Sequence, residues 1–433
     1  MLWEFGRSIL QVAYNRVEPD DAQRMPGLIR IGLSDYRRNR KTRTTISTLF
    51  GKVSLRRFVY QAVEVGEAGI FPLHIALGIT AGQATPALAD VVGRLMANLP
   101  QQQTLAVLRE RYGVSWSVDT LRKVTGSLAE SLAPLREEAQ VGYLVDLLQK
   151  ALQATKNGRP SLVVGRDGIM IPMRRAWEEG STASITVYDR AGKRWGTTYL
   201  GYMPEPGQET MTQQLTQLLT AVLAAWNGRL PRLHYVTDAG HHPQEYFRTV
   251  LCQMRHPTTN ARLRWSWSVD FFHAAERITV LAEALFGFTL AAQAWAEKQR
   301  KILKTKRNGA LRVIQAARAL RRSRGLKRDR RKFDAALGYL WKYREHMAYA
   351  KYKRHGLPIG SGVTEAACKT IFTQRMKLSG MRWENTSGQH VLDLRVILRG
   401  NVWEQVRTNW LHRARTPVTC NSTEFATFAR ANR

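Results

Sequence analysis

Between Ser161 and Asp270, short apolar runs of strand character alternate with segments of helical period, and their order constrains the fold more than any other feature of the chain. Leu162-Val-Val-Gly is a short apolar strand that ends at Arg166-Asp167-Gly168. Ser184 to Tyr188 alternates, Asp189-Arg-Ala-Gly192 turns, and Trp195 to Met203 returns, which makes a hairpin. Thr210 to Trp226 is a helix with Leu215, Leu218, Leu219 and Val222 on one side. His234-Tyr-Val-Thr is another strand, ending at Asp238-Ala-Gly240. Pro243 to Met254 reads as a helix and Leu263 to Val269 as a last strand, ending at Asp270. The order is strand, strand, strand, helix, strand, helix, strand, with an acid closing the first, fourth and fifth strands.

That order is the one a ribonuclease-H-like fold requires, an α/β core whose mixed five-stranded sheet is flanked by helices. Its first and fourth strands end side by side, so Asp167 and Asp238 are expected to share a site. The final acid of such a fold arrives on a helix after the fifth strand. Here the chain first makes a detour from His273 to His355, helical in pattern, and from Lys298 to Lys332 its only acid is Asp329. A solvated face is the ordinary reading of a charge run, but this length and one-sidedness favour a DNA-facing helical insertion. The detour ends at Leu357-Pro-Ile-Gly-Ser-Gly-Val-Thr-Glu365, where Pro358, Gly360 and Gly362 force a turn and a new helix begins near Val363. Ser361 or Thr364 is placed to cap it, Glu365 sits in its first turn, and Lys369 follows on the same face. Ile371, Phe372 and Met376 form a buried side, while Lys369, Arg375 and Lys377 keep the helix basic. Taken singly, Glu365 is what the helix dipole favours and an Asp-Gly is a turn. Three acids in one topological order are harder to obtain by accident.

The 66 Lys plus Arg against 34 Asp plus Glu give a formal net charge of +32 and call for a polyanionic partner. With 433 residues and 44% hydrophobic content the chain can bury more than one core. The most apolar run, Ala284 to Ala296, is too short to span a bilayer and is not a Lys/Leu amphipathic helix, so no membrane partner is expected. Met1-Leu-Trp-Glu-Phe-Gly lacks the pattern of a secretory signal, and Cys252, Cys368 and Cys420 are too scattered for a disulfide framework or a zinc knuckle. A reducing cytoplasm is the expected compartment.

Residues Met1 to about Arg43 read as a helix followed by a basic mobile stretch, Tyr36-Arg-Arg-Asn-Arg-Lys-Thr-Arg. Thr44 to Leu49 and Val53 to Tyr60 form a hairpin, read equally well as an exposed ribbon or a DNA contact. Pro72 to about Leu135 is helical. Gln103 to Arg111, a turn at Tyr112-Gly-Val-Ser115, and Ser117 to Leu132 match a helix-turn-helix that would present Arg122 and Lys123 to DNA. Gln140 to Asn157 reads as a connecting helix, and beyond Trp383 come further helices and a loose tail from Arg415. The expected division is 1–71 (helix, basic stretch, hairpin), 72–157 (helical DNA-binding region), 158–275 with 356–383 (catalytic core), 276–355 (basic insertion) and 384–433 (C-terminal helices and tail).

The blocks Gly165-Arg-Asp-Gly168, Val236-Thr-Asp-Ala-Gly240, Asp270-Phe-Phe-His273, Ile359-Gly-Ser-Gly-Val-Thr-Glu365, Gln374-Arg-Met-Lys377 and Ser379-Gly-Met-Arg-Trp383 resemble bacterial insertion-sequence transposases of the DDE type, in particular the ISKra group. More distantly they resemble Mutator-like and hAT-like transposases. The resemblance covers about Pro72 to Trp410. It implies Asp167, Asp238 and Glu365 as catalytic, metal-binding acids for two Mg²⁺, with Mn²⁺ able to substitute, and a helical insertion between the last two. The Asp270–His273 pair resembles a motif that supports the site or binds DNA beside it; a core histidine is the other reading of His273. Two such ions, about 4 Å apart, clamp the attacking and leaving oxygens of an in-line phosphoryl transfer.

The implied reaction is hydrolysis at the transposon ends to free a 3′-hydroxyl, followed by its attack on a target phosphodiester. The implied partners are terminal inverted repeats, target DNA and at least a second copy of the chain, since two ends must be joined. Lys369, Arg375, Lys377 and Arg382 are expected to contact phosphates, and Trp383 to stack on an unpaired base, as Trp265 and Trp267 could. Two other readings remain: a structure-selective nuclease of the same fold, or a transposase descendant kept as a DNA-binding protein. An RNA-associated basic protein is disfavoured because no RNA-binding module is visible.

Overall fold

The computed structural model describes residues 2–18, 25–31, 34–64, 69–154 and 158–414. The tail from Arg415 and the end of the expected connecting helix at Asn157 lie outside the described residues. The chain folds into two units. One comprises 1–136 with 386–398 and 402–433, the other 137–385 with 399–401.

In the first unit, helix α1 (Leu2–Val17) precedes an antiparallel meander of β1 (Leu28–Ile31), β2 (Ser34–Thr48) and β3 (Gly51–Ala62). The basic run 36–43, expected to be mobile, lies within β2 instead. Its alternation lets Arg37 and Arg43 face solvent while β3 pairs along the backbone, and Lys41 lies over the Phe58 ring at 5.0 Å. Among the described residues β3 pairs with a strand on one side only; on its other edge Ile70 exchanges backbone bonds with Tyr60, and side chains of α1 and of Glu18 just beyond it serve further amides. Gln11 accepts from Ser54 N at 2.7 Å, Asn15 accepts from Arg56 N at 2.9 Å, and Glu18 accepts from Phe58 N at 2.8 Å.

Glu18 is 2% exposed, and burial pushes its carboxyl up to about 7 despite the Phe58 amide and the charges of Lys41 and Arg57. Between its ordinary value of 4.5 and about 7 the unfolded chain releases a proton that the folded chain keeps. The stabilisation present below that window is lost across it, by about 1.4 kcal/mol per pH unit and roughly 3 kcal/mol in all. Glu18→Gln is therefore expected to be more stable than the parent at pH 8 and level with it near pH 4, as read by urea unfolding of both proteins across that range. A constant difference across the range would remove Glu18 from this role.

Helices α2 (Pro72–Ala76), α3 (Pro86–Asn98), α4 (Gln101–Tyr112) and α5 (Val118–Leu132) follow. The turn between α4 and α5 uses Gly113 at φ 62°, and Ser117 caps α5 through the Thr120 amide. Val114 and Leu121 are fully buried, and Arg122 and Lys123 are exposed on α5.

The second unit begins with α6 (Arg136–Gln153), whose Leu144, Leu148 and Ala151 enter that unit's core and whose Gln140 donates to Thr198 Oγ1 at 3.0 Å. The junction thus falls at the start of α6 and not after it, because the apolar face of α6 is buried on the sheet. The strands are β4 (Ser161–Pro172), β5 (Trp177–Tyr188), β6 (Arg194–Tyr202), β7 (Arg232–Thr237) and β8 (Trp265–Val269). They form one mixed sheet in the order β6-β5-β4-β7-β8, antiparallel on the β5–β6 side and parallel across β4, β7 and β8. Helix α7 (Glu209–Ala225) follows β6, and α8 (His241–Tyr246), extended by a π-helical turn Phe247–Leu251, follows β7.

The first strand runs well past Asp167, where the sequence had suggested an end. β5 pairs with β4 along its whole length, from Ser161–Tyr188 to Pro172–Trp177, so the strand continues after β7 has stopped pairing with it. Five helices occupy the detour: α9 (Phe271–Phe286), α10 (Leu290–Thr305), α11 (Gly309–Arg324), α12 (Arg330–Lys342) and α13 (Tyr349–Arg354). Ile278, Leu303, Val313, Phe333 and Tyr349 from these helices belong to the same apolar core as Val164, Ile185 and Leu215. Next come α14 (Gly362–Ala367), a π-helical turn Cys368–Thr373 and α15 (Gln374–Met376). Finally α16 (Asn385–Arg399) and α17 (Trp403–Ala414) contribute to the first unit, where Trp403 Nε1 donates to Asp90 at 2.7 Å. No helix among the described residues is long and apolar enough to cross a membrane.

Candidate acidic site on three parallel strands

Strand register brings the first acids together. β4 and β7 pair in parallel from Ser161–Arg232 to Val164–Tyr235, and Asp167 and Asp238 each come three residues after that last pair. β7 and β8 pair from Leu233–Trp265 to Thr237–Val269, and one further step sets Asp238 level with Asp270. Asp167 within β4, Asp238 just past β7 and Asp270 just past β8 therefore lie toward the same end of the three parallel strands.

Each is held differently. Asp167 Oδ1 accepts from the Gly168 amide at 2.8 Å and Oδ2 from the Cys368 thiol at 3.3 Å. Asp238 Oδ1 accepts from Gly240 N at 2.9 Å, and Tyr339 of α12 donates to its main-chain oxygen at 3.2 Å. The intervening Ala239 sits at φ 68°, a left-handed conformation that costs a side chain about 1 kcal/mol. Asp270, fully buried, caps α9 by accepting from Phe272 N and His273 N through Oδ1, and accepts Ser361 N and Ser361 Oγ through Oδ2. Three backbone amides thus occupy its carboxylate, and the Ser361 hydroxyl, which Glu365 can also accept, is a fourth donor.

Glu365 arrives on α14 because the preceding turn is fastened at several points. His234 on β7, fully buried, places Nε2 3.3 Å from Pro358 O and Nδ1 2.7 Å from Ser266 Oγ; burial pushes its imidazole down to about 4, keeping it neutral. Phe271 N donates to Ile359 O at 2.9 Å. Thr364 Oγ1 lies 2.8 Å from Ser184 Oγ on β5. A Cβ on Gly165 would overlap Thr364 Oγ1, so only glycine on β4 lets α14 come this close. Ser361 occupies the capping position of α14, but its hydroxyl does not cap. It lies 2.8 Å from Asp270 Oδ2 and 2.7 Å from Glu365 Oε1, joining the two acids.

The electrostatics tie Asp167, Asp238 and Glu365 into one field. Burial pushes the Asp167 carboxyl up, and the charges of Asp238 and Glu365 push it further, against hydrogen bonds from Cys368 and the Gly168 amide. The Cys368 thiol is raised by burial and by Asp167, Glu365 and Asp238, so it stays protonated and donates. Oxygen donors without a thiolate suit a hard divalent cation rather than a soft one, and a cation would relieve the mutual repulsion of the three acids. Among the described residues, two groups bring three ligand atoms within 4.8 Å of one another: Asp270, His273 and Glu365, and the exposed His241 and Glu245 with the half-buried His242. Asp167 and Asp238 are in neither, so the three expected acids do not close around a single point. In the first group Asp270 already accepts three backbone amides, and His273 Nδ1 stands 3.5 Å from its Oδ1.

The basic residues expected around the site divide. Lys369 and Arg382 are exposed and Lys377 is half-buried, its ammonium 5.3 Å over the Trp177 ring. Arg375 is 1% exposed beneath Trp383, its guanidinium 5.2 Å from that ring, and burial pushes it down to about 10. Trp383 is also buried, donates Nε1 to Met376 O at 2.8 Å, and is bonded through its backbone to Pro172 and Arg174. Arg375 and Trp383 are therefore interior groups that pin the segment after α15 to the end of β4, not surface contacts for phosphate or base. Trp267 is likewise buried, donating to Thr237 Oγ1 at 3.1 Å. Sequence reasoning missed Ser361 as the link between acids and Cys368 as a donor; the three-residue spacing of Cys368 from Glu365 was the available signal for the latter.

No protein-family model matches the chain, and no curated protein matches it.

Proposed function

We propose that the chain is a DDE-type DNA transposase with a ribonuclease-H-like core, acting on DNA in the bacterial cytoplasm. The observation that carries this reading is that Asp167 on β4 and Asp238, just beyond the end of the adjacent parallel strand β7, lie in one carboxylate field, to which a turn fastened to the same sheet delivers Glu365. The sheet order, the helical segment between β8 and Glu365, and the net charge of +32 support it. Asp167, Asp238 and Glu365 would hold Mg²⁺ or Mn²⁺, which when bound supplies Lewis acidity to a phosphodiester and activates the attacking oxygen. Ser361 has one hydroxyl proton and can donate it to Asp270 or to Glu365 but not to both at once. When Asp270 takes it, the Glu365 oxygen is released for a ligand. Lys369 and Arg382, exposed near this segment, would contact phosphates, and Arg122 and Lys123 on α5 would meet the terminal repeats. Joining two ends would engage at least two copies of the chain.

The test is strand transfer in vitro with Mg²⁺ or Mn²⁺, using pre-nicked ends taken from the DNA flanking the gene, comparing the parent with Glu365→Gln. Joined products lost in the variant support the reading. Cleavage without joining would indicate a nuclease of the same fold, and binding with neither would indicate a DNA-binding descendant.

A further inference from the structure

At the other end of β7 from Asp238, about 20 Å away at ~3.3 Å per residue, the second unit contains a cavity of about 380 Å³. Arg159, Arg232, Arg262, Arg264, Lys351 and His355 line it, and none of the lining residues is acidic. Among the described residues no ion pair involves any of these cations. Three of them are tied to backbone carbonyls: Arg159 donates Nη2 to Pro231 O at 3.1 Å, Arg232 donates Nη1 to Arg159 O at 3.3 Å and Arg262 donates to Cys252 O at 3.0 Å. Those contacts orient the guanidinium groups without neutralising them. The field they produce is visible on their neighbours. Burial pushes the Arg232 guanidinium down, and Arg190, Arg159 and Arg229 push it further; His355 is lowered by burial and by Arg232, Arg190, Lys351 and Arg354. The floor is apolar and partly aromatic, formed by Leu233, Leu357 and Tyr352, all buried, with the Tyr352 hydroxyl turned away to Trp267 O at 3.0 Å.

Scattered surface cations are solvated and need no partner, but cations gathered around a concave space without a carboxylate concentrate positive potential there. The volume suits a ligand of nucleotide size. Guanidinium groups match phosphate oxygens in pairs, and an apolar floor beneath them suits a base or sugar face. We propose that this cavity is a phosphate site for a nucleotide, with the phosphate among Arg232, Arg264 and Lys351 and the nucleoside over Leu233 and Tyr352. The site is separate from the acidic site and does not depend on the transposase reading. Its ligand has two sources that share this chemistry, a free nucleotide or the phosphorylated end of a DNA strand.

The experiment is isothermal titration calorimetry of the full chain at about 0.15 M salt, where exposed charges more than ~8 Å apart are largely screened. The probes are 2′-deoxyadenosine 5′-monophosphate, a short 5′-phosphorylated single strand, and the same strand without its phosphate. One equivalent of the mononucleotide is expected to bind, and Arg264→Ala/Lys351→Ala to weaken it by about tenfold or more, the loss of charge-assisted hydrogen bonds. Both side chains are exposed, so the pair can be removed without opening the core. Arg322→Ala/Arg331→Ala removes the same charge from exposed positions on α11 and α12 and is expected to change the affinity by less than about twofold. A phosphorylated strand that outbinds its unphosphorylated twin, with the same sensitivity to Arg264 and Lys351, identifies the strand end as the source. Binding of the mononucleotide alone identifies the free nucleotide. Equal weakening by both double variants, or no saturable binding of the mononucleotide or the phosphorylated strand, would overturn the proposal.

Discussion

Asp238→Asn is expected to lower metal-dependent cleavage and strand transfer on the order of a thousandfold, since a carboxylate that holds a catalytic cation stabilises the transition state by several kcal/mol. Asp167→Asn should do the same. DNA affinity should change little, because with 66 Lys and Arg the attraction to phosphates does not rest on either position. Removing one acid also relieves like-charge repulsion, as Asp238 and Glu365 both push the Asp167 carboxyl up. The inactive variants should accordingly be no less stable than the parent. The measurement is a side-by-side assay of joined product, of retention on end DNA, and of urea midpoint. An Asp238→Asn protein that still joins ends at more than about a tenth of the parental rate would remove Asp238 from the site.

Asp270→Ala is expected to be the most destabilising single change at the site. Its buried carboxylate accepts two amides that start α9, and the amide and hydroxyl of Ser361. Truncation leaves these donors without their acceptor in a dry environment, at a cost of about 3 kcal/mol. For a unit of this size that lowers the melting temperature by roughly 6–12 °C. The same change cuts the tie between β8 and the turn before Glu365, so activity should fall even at temperatures where the variant is folded. Ser361→Ala separates the two effects: it keeps the amide bond to Asp270, costs about 1 kcal/mol, and removes only the hydroxyl between the acids. Thermal unfolding and strand transfer on both variants test this. If Asp270→Ala melts with the parent, the carboxylate does not hold the turn.

Much of the candidate site's surroundings was legible because it follows from local pattern. The order of strands and helices from Ser161 to Asp270, the acids that follow β7 and β8, and the turn at Pro358 to Gly362 are properties of a few consecutive residues. Strand length was less legible. Gly165 and Gly168 look like strand terminators, yet β4 runs through both, because Gly165 makes room for Thr364 and Gly168 for Glu179 and Gln208. Those neighbours lie far along the chain and leave no local trace. Likewise the run 36–43 carries the composition of a mobile basic tail, and only pairing with β3 makes it a strand.

Charge was the least reliable guide to position. Arg375 and Lys369 carry the same sign on one basic segment, but Lys369 is exposed and Arg375 lies inside under Trp383. What the sequence determined by itself was the order of strands and helices from Ser161 to Asp270 and the net charge, since periodicity and composition are set by neighbouring residues. Only the tertiary structure decided that Ser361 joins Asp270 to Glu365, that Cys368 donates to Asp167, that Asp270 accepts three backbone amides, and that cations from four separate segments enclose one cavity. Each of these depends on which side chains meet across the sheet, and burial and hydrogen-bond partnership are set by the far side of a contact, which no single segment encodes.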